Sequence, residues 1–356
     1  MVRFLRFVDR YVGAFIVFLL WPITVFITNK KRPAKKVLII KLWAIGDSVL
    51  TLALIKGIKK TTKATVHVLT TEKVDTVYKH PLIDKLVYPK DLFSLFSAYD
   101  IAIDCEPYLN TSAILAFLTG KRRVGFSDQW RSRLYTDTVK FRKDQHMVQN
   151  YLDMLRATGK KYDTDSLEPL SYQKEDKEKV DVFLNGKKQL IGITPGVAES
   201  AKSRMWYEDR FAELADRLIK ELGATVVFVD SKGNRPVVKN IMGLMNEKAI
   251  DASGEFSLKE TFCLIEKCKI FISNDTGPMH IAAAQGVKTI GLFGPNTPVL
   301  WGPYGKGNIS IYKTKLKPSI QNDKGIFPEG DRDGFMDPIS VAEVFNAAKS
   351  IWKDLK

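Results

Sequence analysis

The chain of 356 residues has little of what would tie a fold together covalently or through a metal: three cysteines and four histidines. Cys105, Cys263 and Cys268 form no C-x-x-C pair, which argues against a disulfide framework or a structural zinc site and for free thiols in a reducing compartment. Acidic residues are outnumbered, 40 against 55 Lys and Arg, and the net charge is +15. That balance suits nucleic acid, an anionic membrane or phosphorylated ligands. No helix-turn-helix, zinc-finger or aromatic RNA-binding signature is present, so nucleic acid is not expected as a partner. No Asp-x-Asp metal motif falls at the end of an expected strand, and no metal or cofactor is expected. What is present is the composition of a folded chain, 45% hydrophobic and 27% charged, long enough for two domains.

The one long apolar run lies near the amino terminus. Tyr11 to Thr28, "YVGAFIVFLLWPITVFIT", carries no charge. Arg3, Arg6 and Arg10 precede it, and Lys30, Lys31, Arg32, Lys35 and Lys36 follow. As a helix it would reach roughly 27 Å, just short of a hydrocarbon core of about 30 Å, and Pro22 would kink it. No small-x-small cleavage site precedes the basic cluster, which argues against a signal peptide. Residues 1–35 are therefore expected to attach the protein to the anionic cytoplasmic face of the inner membrane, either spanning it or lying in one leaflet. A buried core helix is the competing reading.

From residue 36 the chain alternates. Short apolar runs at Lys36–Lys41, Thr65–Leu69, Lys85–Tyr88, Ile101–Asp104 and Arg123–Phe126 predict strands with helical segments between them, and a helical pattern at Gln145–Thr158 closes the first half. A polar stretch from Gly159 to Lys188 reads as a linker with some helix. The alternation then resumes with strands at Gln189–Gly196, Ala224–Asp230, Ile270–Ile272 and Thr289–Phe293. Helices are expected at Tyr207–Leu222, Val237–Asn246, Leu258–Cys268 and Ser340–Leu355, and an irregular stretch at Lys313–Asp337. The prediction is an α/β protein of two Rossmann-like domains facing a cleft, each with a parallel sheet covered on both faces. The expected domains are 36–175 and 176–338, with a final helix at 339–356.

Two turns carry the chemistry. "FISNDTGPMHIAAAQG" leaves one apolar strand and opens a helix. Asp275 or Thr276 can cap that helix, Gly277 permits close backbone approach, and Pro278 suits its first position. Such a terminus offers free N–H groups and a positive dipole to a diphosphate, and His280 can donate to a phosphate oxygen. An ordinary capped helix with a packed histidine would look the same. Gly294-Pro295 and Gly302-Pro303 follow along the same expected rim. In the first half, "LWAIGDSVLT" places Gly46 at a strand-to-helix turn, with Asp47 either capping the helix or acting as a general base.

"KVLIIKLWAIGDSVLTLALIKGIKK" together with "ISNDTGPMHIAAAQGVKTIGLFGPNTPVLWGPYG" resembles glycosyltransferase family 9, the bacterial heptosyltransferases. "IDCEPYLNTSAILAFLTGKRRVGF", "HMVQNYLDML" and "ITPGVAESAKSRMWYEDRFAEL" lie between them in the family's order. The resemblance covers about residues 36–350 and implies the GT-B fold. It also implies metal-independent, inverting transfer of a heptose from an ADP-sugar to a lipopolysaccharide core or other lipid-linked acceptor. Asp47 matches the family's catalytic base, with Gly46 and Ser48 beside it on the acceptor side. Asp275, Thr276, Gly277 and His280 match its donor-binding motif, and Pro278 within it is expected on the donor side as well. Two positions depart: Arg204 stands where relatives carry a phosphate-contacting lysine, with Lys202 nearby, and Asn234 stands where many have an acidic residue that contacts ribose. Another nucleotide-sugar and acceptor, or a catalytically silent nucleotide-binding relative, are the alternatives.

Overall fold

A computed structural model describes residues 7–24, 34–315 and 332–355. Lys30, Lys31 and Arg32, the end of the apolar run, and most of the 313–337 stretch lie outside the described residues. Contacts divide the chain between Thr164 and Asp165 into two compact units.

In the first unit a helical segment comes first: a short π-helical stretch, Asp9–Gly13, leads into α1 (Ala14–Thr24). Six parallel strands follow: β1 (Lys36–Ile40), β2 (Thr65–Leu69), β3 (Lys85–Val87), β4 (Tyr99–Asp104), β5 (Gly120–Phe126) and β6 (Asp137–Val139). Their order is β3-β2-β1-β4-β5-β6. α2 (Ile45–Thr61), α3 (Asn110–Thr119) and α4 (Met147–Ala157) cover the sheet. β1 is a continuous apolar run because both its faces are covered. Val37 and Ile39 pair with Val66 and Val68 on one side and with Ile101 and Ile103 on the other.

The second unit repeats the plan. Its strands are β7 (Leu190–Thr194), β8 (Thr225–Phe228), β9 (Ile250–Asp251), β10 (Cys268–Asn274), β11 (Lys288–Phe293) and β12 (Ile309–Tyr312), all parallel. Their order, β12-β11-β10-β7-β8-β9, is that of the first sheet. α5 (Glu208–Leu222), α6 (Leu258–Glu266), α7 (Gly277–Ala284) and α8 (Val341–Asp354) pack on it. α8 belongs to this unit's core: Val344, Phe345 and Trp352 are buried in one cluster with Phe211, Leu214 and Leu218 of α5. Both sheets thus have the doubly wound order, in which the chain reverses direction between the first and fourth strands. The switch points lie between β1 and β4 and between β7 and β10, and ligands of such sheets bind at the carboxyl ends there.

Three edge strands, β6, β9 and β12, were not expected, and Arg332–Met336 is a helical turn inside the stretch read as irregular. The polar linker contains the helix Lys174–Leu184. The expected membrane-spanning option receives no support: no helix among the described residues is long and apolar enough to cross a bilayer. α1 has Pro22 inside it, and the buried Val17 joins the first unit's core.

Candidate functional site

At the first switch point the residue that follows β1 is a lysine. Lys41 is wholly buried, its Nζ 3.0 Å from Glu106 Oε2 and 3.3 Å from Asp47 Oδ2. Burial opposes its charge, but Glu106 and further negative neighbours, Asp47 among them, outweigh that and hold its pKa well above the usual lysine range. The other oxygen of Glu106 accepts from the backbone N–H groups of Leu42 (2.7 Å) and Trp43 (2.9 Å), so one carboxylate fixes both the ammonium and the loop. The loop then passes through Ala44 at φ 61°, left-handed territory that a non-glycine residue enters only when its surroundings dictate it.

Ala44, not Asp47, is the N-cap of α2, and it makes no side-chain capping bond. Asp47 lies inside the first turn and turns to Lys41, with its side chain 26% exposed. The capping alternative is thereby removed. Gly46 and Ser48 on either side are buried. Lys41 thus lies between two carboxylates, Glu106 the nearer and Asp47 the more exposed.

Behind it lies a second buried network. Asp104, at the end of β4, accepts from Arg131 (2.9 Å), Tyr135 Oη (2.6 Å) and Ser112 Oγ (2.7 Å), and its other oxygen accepts from the Glu106 N–H. Arg131 also donates to the Glu106 carbonyl. Burial pushes the Asp104 carboxyl upward and Arg131 pulls it down. Lys41, Glu106, Asp104 and Arg131 were not singled out from the sequence. The available signal was a charged residue closing each of two apolar strands, "KVLIIK" and "AIDCE".

At the second switch point four loops converge. Asn274, the last residue of β10, donates to the Pro195 carbonyl (2.7 Å) and accepts from the Trp206 N–H (3.1 Å). It thus ties the β10–α7 turn to the segments on either side of the Glu199–Arg204 turn. Asp275 does not cap α7: its buried carboxylate meets Arg204 (3.0 Å) and Asn296 Nδ2 (2.5 Å). Thr276 is the N-cap, but its hydroxyl is engaged with Ser273 and the Asn274 carbonyl, leaving the helix start without a side-chain cap. Gly277 is the first helical residue and Pro278 the second, one place later than expected. Gly294 and Gly302 are occupied by packing, close to Met336 and to the Pro298 carbonyl respectively.

His280 is buried within this turn, and its Nδ1 has no hydrogen-bond partner among the described residues. Burial and, secondarily, Arg204 lower its pKa to about 4, against the pull of Asp275. The imidazole is thus neutral near pH 7 and offers one N–H rather than a charge. Because the unfolded chain binds a proton with an ordinary histidine pKa of about 6.5, stability falls as pH drops from about 6.5 through 4. The loss attributable to His280 approaches about 3 kcal/mol at the acid end. In urea titrations at pH 4.5 and 7.5, His280→Gln should narrow the gap between the two stabilities; an unchanged gap would exclude His280 as its source.

The remaining expected donor residues are placed differently. Lys202 is exposed and pairs with Glu199 at 2.7 Å. Asn234 donates to Asp230 (2.8 Å), whose other oxygen accepts from the Gly196 N–H (2.7 Å). A Cβ at Gly196 would come within 2.3 Å of Asn234 Nδ2 and would displace the Asn234 and Asp230 side chains from this arrangement. The acidic group here is Asp230, two residues past the end of β8; the expected strand Ala224–Asp230 absorbed it.

Two doubly wound units with charged turns at both switch points define the two-Rossmann, GT-B class of fold. A glycosyl transferase family 9 protein from Veillonella parvula shares it with a TM-score of 0.77 at 24% identity, over 92% of this chain and 99% of that one. The ADP-heptose lipopolysaccharide heptosyltransferase II of E. coli gives 0.72 at 21% identity, over 90% and 99%. Residues 94–325 match the description glycosyltransferase family 9 (heptosyltransferase), and the chain belongs to that family. Among curated relatives, lipooligosaccharide heptosyltransferase 2 of Haemophilus influenzae is 31% identical over 220 residues, 58% of this chain and 63% of that protein. Lipopolysaccharide heptosyltransferase 2 of Salmonella typhimurium is 30% identical over 52% of this chain and 58% of its own length. The match to these two spans about 60% of their length. The lipopolysaccharide core heptosyltransferase OpsX of Haemophilus influenzae is 25% identical over 89% of this chain and 97% of that protein.

Proposed function

We propose that the protein is an inverting glycosyltransferase that moves a heptose from ADP-heptose to a lipopolysaccharide core acceptor. The observation that carries this reading is the pairing of chemistries: a carboxylate backed by a buried ammonium at one switch point, and an uncapped helix start with Arg204 and His280 at the other. Departure of a nucleoside diphosphate needs its developing charge stabilised, and Arg204, the first N–H groups of α7 and His280 are donors of the right kind. Arg204 is held by Asp275, whose carboxylate is itself fixed by Asn296, and this spares reorganisation when the diphosphate arrives. Attack by an acceptor hydroxyl with inversion needs one base. Asp47 removes the hydroxyl proton as the new C–O bond forms and the bond to the diphosphate breaks.

The test is incubation of the purified chain with ADP-heptose and a heptose-deficient lipopolysaccharide. Appearance of a heptosylated product together with ADP is expected. Turnover of a UDP- or GDP-sugar instead would overturn the donor and leave the reaction class. A melting-temperature screen over ADP, UDP and GDP reports the same preference independently, because a ligand that binds only the native state raises its melting point; ADP should give the largest rise.

A further inference from the structure

We infer that residues 7–24 form a monotopic element lying flat in one leaflet of an anionic bilayer, carried rigidly by the first unit. Both ends of the segment are fastened to that unit. At its start, the Asp9 carboxylate accepts from the N–H groups of Asn110 (3.1 Å) and Thr111 (2.8 Å), capping α3 from outside. Gly13 makes this close approach possible, since a Cβ there would come within 2.9 Å of the Asn110 side chain. At its end, Trp21 packs edge-on against Trp130 (5.6 Å between centroids), with the Arg133 guanidinium over both rings. Gly13, Val17, Leu20 and Thr24 form the inward stripe, at spacings of four, three and four.

A helix tied at both ends to one surface can offer a bilayer only its flank. The flank on offer is apolar: Phe7, Tyr11, Phe15, Phe18, Leu19 and Ile23 are each about half exposed or more. Charge decides the occupant. Arg10 and Arg133 border the helix, and Arg3, Arg6, Lys30, Lys31 and Arg32 flank it in sequence. A second copy of this chain would bring like charges together, whereas an anionic headgroup layer neutralises them.

The fastening points also orient the unit. α3 starts six residues after β4 ends, and Trp130 follows the end of β5, so both lie at the carboxyl edge of the first sheet. Asp47 is at that same edge. The membrane-facing flank and the proposed base therefore share one end of the unit, the end at which an acceptor embedded in the bilayer would arrive.

The full chain should float with phosphatidylcholine vesicles that contain phosphatidylglycerol, and less with phosphatidylcholine alone or at high salt. Phe15→Glu/Phe18→Glu, checked by near-ultraviolet circular dichroism, should weaken binding about tenfold or more. Bimane attached at Phe7→Cys, Phe15→Cys and Ile23→Cys should be quenched by spin-labelled lipids at one shallow depth; the three native cysteines are buried. A graded depth across the three positions would mean a spanning helix and overturn the proposal. So would unchanged flotation of the double glutamate variant, or failure of the native chain to bind vesicles while it self-associates through this face.

Discussion

Asp47→Asn should lower kcat by about 10²–10⁴-fold, the usual contribution of a positioned general base, with donor affinity unchanged. The substitution is nearly isosteric, and Lys41 keeps Glu106 at 3.0 Å as its counter-charge, so the loop at 42–44 should hold its shape. That separates the chemical role from a structural one: loss of rate should come without a shift in melting temperature or in the nucleotide-induced stabilisation. Activity within a few-fold of the native chain would show that Asp47 is only a partner for Lys41.

The second large effect is expected at Arg204. Arg204→Met removes the guanidinium while keeping much of the stem. Donor affinity should weaken by about 10²–10³-fold, corresponding to roughly 3–4 kcal/mol for a preorganised charge-stabilising donor. Stability should fall as well, by about 3 kcal/mol, because the Asp275 carboxylate is buried and, among the described residues, would keep Asn296 alone as a partner. The two effects are separable. Adding Asp275→Asn to Arg204→Met removes the orphaned charge and should restore most of the stability, but not the affinity. Arg204→Lys should fall between, since an ammonium keeps the charge beside Asp275 but lacks the guanidinium's planar set of donors for phosphate oxygens. If the double variant recovers donor binding along with stability, Arg204 does not touch the donor.

How much of this was legible depended on whether the signal was local. β1, β2, β7 and β11 are apolar runs bounded by turns, and they lie within a residue or two of where the pattern puts them. β5 begins three residues early, at Gly120, and carries Lys121, Arg122 and Arg123 into the sheet. Nothing in "GKRR" announces a strand. It forms because Arg122 pairs with Asp137 of β6 (2.7 Å) and the buried Arg123 donates to the Leu134 carbonyl (2.7 Å). The edge strands β6, β9 and β12 have two to four residues, too few to show a period, and are defined by the neighbour each pairs with.

The site divides in the same way. Asp47 and the 275–280 turn stood out because glycine or proline and a titratable group at a strand-to-helix junction form a local pattern, whereas Arg204 was marked only by the family resemblance. The partners that give those residues their orientation did not. Lys41 meets Glu106 across 65 positions, Arg204 meets Asp275 across 71, and Asn296 reaches back 21 to the same carboxylate. The sequence by itself determined two alternating α/β series, the two candidate ligand-binding turns and the apolar, base-flanked amino terminus, since hydrophobic period and turn chemistry act over a few residues. Only the tertiary structure decided which buried charges compensate one another, that Asp47 faces an ammonium instead of capping its helix, and that the amino-terminal helix lies along the first unit. Charge burial is tolerable only when an opposite charge or a donor arrives from elsewhere in the chain, and where it arrives from is set by the packing of the sheet.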